Sequence, residues 1–323
     1  MGTTQIDSIG VILLKEQGTR GTAETSLVNT DVAEVENPNI KIDYRKKEID
    51  LVGSPQNQSI IGPHECTVSM AYPLRTGAAE GDQGQLKAPL VSSYLVSTDS
   101  DTDTDTTDDR FIYAPTRKDS EWVDSTLWVY SGSQDTSLCL LTKIQNLTFG
   151  IKFILDFDNA YASMQLEGKG VLVAEPALGT QPTITPSTVL TPALINTTFS
   201  FFSDSDYEPL SLEFDLGPDI TTLLKQGVAS GLGITAPGSK RKIKWSAKVY
   251  HDSGVNPHTT LLAGTLGTIS CAWGTAPNKH TVSTTKAQIT DITPSVQDNV
   301  QCFDVSGICV DNDFAYQVDT AAA

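Results

Sequence analysis

Apolar and polar residues alternate with a period of two along most of this chain, in short runs interrupted by glycine, proline, asparagine and aspartate. NIKIDYRK (39–46), ECTVSMAYPL (65–74), STLWVY (125–130), SLCLLTKI (137–144), NLTFGIKFIL (146–155) and YASMQLEGKGVLVA (161–174) read as strands of a half-buried sheet. The pattern resumes at SLEFDL (211–216), RKIKWSAKVYH (241–251), TLGTISCAW (265–273), KHTVSTTKAQI (279–289) and NVQCFDVSGICV (299–310). Gly and Asp between 125–130 and 137–144, and the linker DFDNA before 161–174, predict hairpins. No stretch sustains a helical period beyond about three turns. QLKAPLVSSYLVS (85–97) and NPHTTLLAG (256–264) predict short helices, with Pro89 and Pro257 near their starts, where a missing amide hydrogen costs nothing. The expected fold is therefore all-β, with one short helix per half, of the sandwich or barrel kind.

The order of these signals repeats. Asp43 in NIKIDY and Asp215 in SLEFDL stand at the same step of their strands, and a long polar segment follows each: 51–63 in the first half, the glycine-rich 221–240 in the second. A strand and a short helix come next in both, and NVQCFDVSGICV aligns with YASMQLEGKGVL. This rhythm predicts a tandem repeat: an N-terminal arm (1–31), a first β domain (32–175), a Pro/Thr-rich linker (176–195) and a second β domain (196–323).

Composition narrows the chemistry. The 323 residues carry a formal net charge of −17, which argues against a protein that grips phosphate backbones. The basic run Lys240-Arg241-Lys242-Ile243-Lys244 alternates into a strand and reads as a solvated strand face. No apolar run approaches the roughly 20 residues of a membrane helix, and MGTTQIDSIG does not resemble a signal peptide. Five scattered cysteines, Cys66, Cys139, Cys271, Cys302 and Cys309, read as reduced thiols rather than a disulfide framework. The acidic run TDSDTDTDTTDDR (98–110) fails the calcium-loop template: starting from Asp99, Thr104 and Arg110 occupy the glycine and glutamate positions. It reads as a solvated loop. His64, His251, His258 and His280 are placed in loops or strand ends without a metal-ligand spacing. The sequons at Asn57, Asn146 and Asn196 carry meaning only in a secreted protein. Trp122, Trp128, Trp245 and Trp273 fall in strand contexts as core or interface anchors. No nucleophile elbow, phosphate loop or dinucleotide fingerprint is present. No catalytic residue, metal site or cofactor is expected.

Four segments resemble a known family. VILLKEQGTRGT (11–22) is similar to the opening of the tail tube (major tail) proteins of long-tailed, non-contractile bacteriophages. FIYAPTRKDSEWVDSTLWVY (111–130), NTTFSFFSDSDYEPLSLEFDLG (196–217) and DVSGICVDNDFAYQV (304–318), whose Asn312-Asp313-Phe314 is similar to an N-D-x-F-like step common there, resemble further stretches of the same family. The chain departs from that pattern at Arg20, where an aromatic is common, and at the acidic insertion 99–109.

The resemblance implies a virion protein, made in the bacterial host cytoplasm, that assembles into stacked rings around a channel for DNA. It implies self-association, contacts with other tail proteins (terminator, tape measure, distal tail) and double-stranded DNA only as weakly repelled cargo. Tubes of this type have six barrels per ring, so a two-barrel chain predicts trimers with pseudo-sixfold symmetry. Gly53, Ser54, Gln56, Asn57, Gly227, Ser230, Gly231 and Gly233 are the expected contacts to the adjacent ring, because long exposed loops adapt to such interfaces. Lys15, Glu16 and Arg20 are the expected interfacial residues of the arm. A capsid decoration or baseplate protein and a β-sandwich carbohydrate-binding module stand as alternatives. Hollow tubes would exclude the first; the second usually shows a secretion signal.

Overall fold

The structure, a computed structural model, describes residues 2–6, 9–49, 58–77, 83–99, 110–132, 139–184, 186–202, 207–217, 220–224, 232–237, 241–250, 257–275 and 277–320. The first part of the chain forms β1 (Gly2–Gln5), β2 (Ile9–Glu16), β3 (Glu36–Ile49), β4 (Gln58–Pro73), helix α1 (Lys87–Val91), β5 (Leu95–Asp99), β6 (Arg110–Pro115), β7 (Ser125–Ser131), β8 (Cys139–Asp156), β9 (Tyr161–Leu172) and β10 (Ala177–Gly179). The second forms β11 (Thr198–Phe201), β12 (Glu208–Asp215), β13 (Ile220–Leu224), β14 (Leu232–Pro237), β15 (Lys244–Tyr250), helix α2 (Pro257–Ala263), β16 (Gly267–Thr275), β17 (Asn278–Gln297), β18 (Val300–Cys309) and β19 (Ala315–Asp319). The protein is all-β with one short helix in each half.

Six antiparallel pairings of the first half recur in the second, in the same chain order. β2–β7, β7–β8, β8–β9, β9–β4, β4–β3 and β10–β8 correspond to β11–β16, β16–β17, β17–β18, β18–β15, β15–β12 and β19–β17. The correspondence holds residue by residue. The row Ile40, Val68, Gly168, Phe149 across β3, β4, β9 and β8 matches the row Leu212, Ala247, Val305, Ile292 across β12, β15, β18 and β17. In that register Asp43 corresponds to Asp215, as the two strand sequences predict, and Gly170 opposite Cys66 corresponds to Gly307 opposite Trp245.

In each half one long strand serves two layers. The N-terminal part of β8 pairs with β7 and β10; its C-terminal part pairs with β9 and β12. The bend falls at Asn146, whose φ of 52° puts it in the left-handed region that asparagine tolerates, beside a register shift between Gln145 and Thr148. The sequence reads 137–144 and 146–155 as two strands; Asn146 instead bends a single one. The two layers face each other across one apolar cluster that takes Ile12 and Leu127 from one side and Ile40, Val68 and Phe149 from the other. That cluster runs on through Phe153, Phe214, Phe314 and Trp245, so the halves share a core.

Several segments differ from their sequence reading. The helix in 85–97 stops at Val91 because Tyr94 takes a positive φ of 59°, and Leu95 opens β5. Residues 58–63 belong to β4, extending the β3–β4 hairpin, and within 221–240 the described residues 221–224 and 232–237 fall in β13 and β14, which pair with each other. The segment 176–195 is strapped to the first half: Ser187 N–H donates to Glu34 (2.6 Å), Leu194 N–H to the Ala160 carbonyl (3.0 Å), and Arg75 to the Val189 carbonyl (3.3 Å).

Candidate assembly edges

The halves meet through a strand pairing. β8 lies antiparallel to β12, with Leu155 opposite Leu212, Phe153 opposite Phe214 and Lys152 opposite Asp215. Both phenylalanines are fully buried, and Phe314, from the segment before β19, closes over them at ring distances of 5.5 Å and 5.3 Å. On the polar face Lys152 Nζ pairs with Glu213 at 2.6 Å. Arg241 braces the seam from beside it, donating to the Leu216 carbonyl (3.0 Å) and to the Tyr94 carbonyl of the first half (3.3 Å). Desolvation lowers the pKa of its guanidinium to about 10, still charged at neutral pH. The basic run is thus only partly a solvated face: Lys242 and Lys244 are exposed, while Arg241 turns inward and donates to the Leu216 and Tyr94 carbonyls.

This pairing joins two four-strand sets into one antiparallel run, β3-β4-β9-β8-β12-β15-β18-β17. The run's far ends are β3 and the C-terminal part of β17. β3 carries β1 on its outer edge, with Thr4 opposite Ile42 and Thr3 opposite Asp43. Beyond Ala287, β17 pairs with β18 alone among the described residues, and Val296 there is 71% exposed. Away from the core the run presents a mixed polar face: Lys41, Asp43, Glu65, Glu167, Lys169, Lys152, Glu213, Asp215, Lys248 and Asp304. Lys169 pairs with Glu65 (3.6 Å) and Lys248 with Asp304 (3.8 Å). A cleft of about 520 Å³ opens on this face between β8, β9 and Ile220 of β13.

The arm residues are engaged within the chain. All four residues of Val11–Leu14 are buried: Ile12 and Leu14 enter the shared core, while Val11 and Leu13 enter a second cluster with Leu27, Val32, Trp128, Tyr130 and Cys139. Two apolar faces, each covered, hold β2 in place against β7. Lys15 reaches Asp31 (3.6 Å) and Glu16 pairs with Lys87 (2.7 Å). Arg20 donates to the buried Asp124 (3.2 Å) and stacks over Trp122 at 5.2 Å. Arg20 occupies an aromatic-lined slot, its flat guanidinium over the Tyr94 and Trp122 rings and paired with a buried carboxylate. Burial raises the Asp124 carboxyl above its ordinary value, while Arg20 and the Thr148 hydroxyl pull it back.

Gly53, Ser54, Gln56, Asn57, Gly227, Ser230 and Gly231 lie outside the described residues, as does 100–109 of the acidic run; Gly233 lies in β14. His280 is not at a strand end but inside β17, fully buried. Its ring bonds the Tyr316 hydroxyl and the Asn278 side chain, both at 2.8 Å. Burial lowers its pKa to about 3. Trp122 sits outside any strand, whereas Trp128, Trp245 and Trp273 are buried strand residues. The five cysteines are buried and form no disulfide; burial pushes Cys66 and Cys271 up to about 12 and Cys309 to about 11. Among the described residues no His/Cys/Asp/Glu cluster fits a metal ion, and no helix is long and apolar enough to cross a membrane.

Sequence reasoning did not find the β8–β12 seam, because strand partners at long separation leave no local signature. Its one legible trace is the Asn312-Asp313-Phe314 step. Asp311 and Asn312 take positive φ, Asp313 accepts from Thr285 N–H (2.5 Å) and Lys286 N–H (3.0 Å), and the turn so fixed aims Phe314 into the seam. Burial alone would raise the Asp313 carboxyl, but those bonds hold it below the usual carboxylate range. No protein-family model matches the chain, and no curated protein matches it.

Proposed function

We propose that this chain is the ring-forming subunit of a bacteriophage tail tube, a structural virion protein that stacks into a hollow conduit for DNA. The observation that carries the reading is the strand junction between two topologically equivalent halves. It is head-to-tail: the last strand of one four-strand set lies on the first strand of the next. A head-to-tail contact gives a ring when its rotation closes and an open filament when it does not; closure into a ring removes the open sheet edges that otherwise invite aggregation. Eight strands per chain make about 24 in a three-copy ring, above the 16–18 that already leave an aqueous channel in a barrel. The mixed polar face of the run then lines the lumen. Its lysines are interleaved with carboxylates, so no continuous basic stripe holds a phosphate backbone, and a duplex slides. Stacking of rings falls to the segments between the paired strands, around 50–57 and 225–231. The sequence resemblance supports the same reading.

Electron microscopy of the purified protein at high concentration tests it. Hollow tubes built of stacked rings are expected. A protein that stays monomeric, or that binds capsids or tail tips without forming tubes, would remove the assignment in favour of a decoration or baseplate role.

A further inference from the structure

We infer that β1 is a removable guard on the assembly edge, and that the C-terminal part of β17 from a second copy of the chain displaces it and pairs with β3. The inference rests on the ring reading above and names its contacts. The internal equivalence carries the seam outward. β12 corresponds to β3 and β8 to β17, so the sealed pair Phe214–Phe153 becomes Ile42 of one copy opposite Val296 of the next. The pair Asp215–Lys152 becomes Asp43 opposite Ser295, and Glu213–Ile154 becomes Lys41 opposite Gln297.

Three independent features agree with that register. Lys41, Ile42 and Asp43 are the residues whose outer edge β1 now takes, through Gln5, Thr4 and Thr3. Val296 is 71% exposed although its counterpart Phe153 is fully buried, so an apolar side chain stands uncovered on a strand with an open edge. Asp43 Oδ1 and Ser295 Oγ are both buried polar atoms without a hydrogen-bond partner in the isolated chain. The projected pairing sets these two opposite each other, where the Ser295 hydroxyl donates to the Asp43 carboxylate, and an orphan donor and an orphan acceptor satisfy one another. A guard of four residues suits exchange. It covers β3 against premature pairing, yet holds it by only a few backbone bonds.

Two chains test this, one carrying Asp43→Cys and the other Ser295→Cys, mixed in equal amounts, allowed to assemble and then oxidised. Directly opposed antiparallel residues have Cα atoms within disulfide range. A covalent dimer that forms only in the mixture, and only in the assembled fraction, is the expected result. Tubes without that dimer would overturn the edge assignment while leaving the tube reading intact; absence of tubes from the unsubstituted chain would strike at the tube reading itself. A variant lacking residues 2–8, shown to be folded by circular dichroism, should assemble at a concentration at least threefold lower than the full chain. A synthetic peptide of residues 1–8 in excess should slow it again. Folded protein that assembles no more readily than the full chain, or a peptide without effect, would show that β1 guards nothing.

Discussion

Phe153 and Phe214 face each other across the seam with no exposed surface, under the cap of Phe314. Their counterparts at the two ends of the same sheet, Val296 and Ile42, stand apart, one largely exposed and one on a strand edged by β1. The same architecture therefore appears twice in one molecule, once completed and once waiting. The completed copy has what the proposed assembly would add: an aromatic pair in place of an open edge, a Lys–Glu pair on the polar face, and the Phe314 ring from the segment before β19. The incomplete copy is smaller in side-chain volume, which suits the contact between separately folded chains proposed above.

Breaking the completed seam carries the largest expected effect. Phe214→Ala empties a site lined by Phe153 and Phe314 and should lower unfolding free energy by about 3–5 kcal/mol in urea titrations. Val296→Ala, its counterpart in register with Phe153 rather than Phe214, should leave monomer stability within about 0.5 kcal/mol. Equal losses at both sites would contradict the contrast.

Acid is the next lever, and it acts on the second half. His280 is neutral when folded, with a pKa near 3 set by burial; unfolded, it titrates near the ordinary value of about 6.5. Between those values the unfolded chain binds the extra proton, so stability is complete above the unfolded value and falls as pH drops towards the folded one. About 2–4 kcal/mol should be lost across that window, and His280→Gln should flatten the slope. Melting curves from pH 7 to 4 for both proteins read this directly.

A smaller effect compares equivalent glycines. A Cβ on Gly307 would stand 2.0 Å from the Gln288 carbonyl oxygen and 2.6 Å from the Trp245 ring, whereas on Gly170 the nearest atom is a methyl of Ile144 at 2.6 Å. Gly307→Ala should therefore cost about 1–3 kcal/mol and exceed Gly170→Ala, since a backbone oxygen yields less than a side-chain methyl. Smallest of all, Lys152→Ala removes a half-exposed ion pair with Glu213 and should change stability by less than about 1 kcal/mol.

These contrasts also show what local sequence can and cannot disclose. Alternation gave NIKIDY and SLEFDL as strands, and their matched aspartates marked the repeat, because side-chain period and burial are set residue by residue. The hairpins β7–β8 and β8–β9 were equally legible from short turns. Asn146 misled because a bend that keeps one strand continuous reads like a break between two. The extension of β4 to Gln58 was hidden because QSIIGP (58–63) shows no apolar alternation and ends in Gly-Pro, which reads as a turn. Lys15, Glu16 and Arg20 read as interfacial residues of an arm; only the packing of Trp128, Tyr130 and the segment 17–35 shows why all of Val11–Leu14 is buried. The seam itself depends on partners from different halves, which no window of sequence contains.

The central claim is that the seam inside one chain is the template for the contact between chains, so that two halves count as two positions of one ring. The number of chains per ring in assembled particles tests it most directly, by native mass measurement or by the rotational symmetry of a reconstruction. The account predicts three chains, with a sixfold-like outline that is strictly threefold. Six chains per ring, or a threefold ring whose subunits meet through surfaces other than β3 and β17, would contradict it.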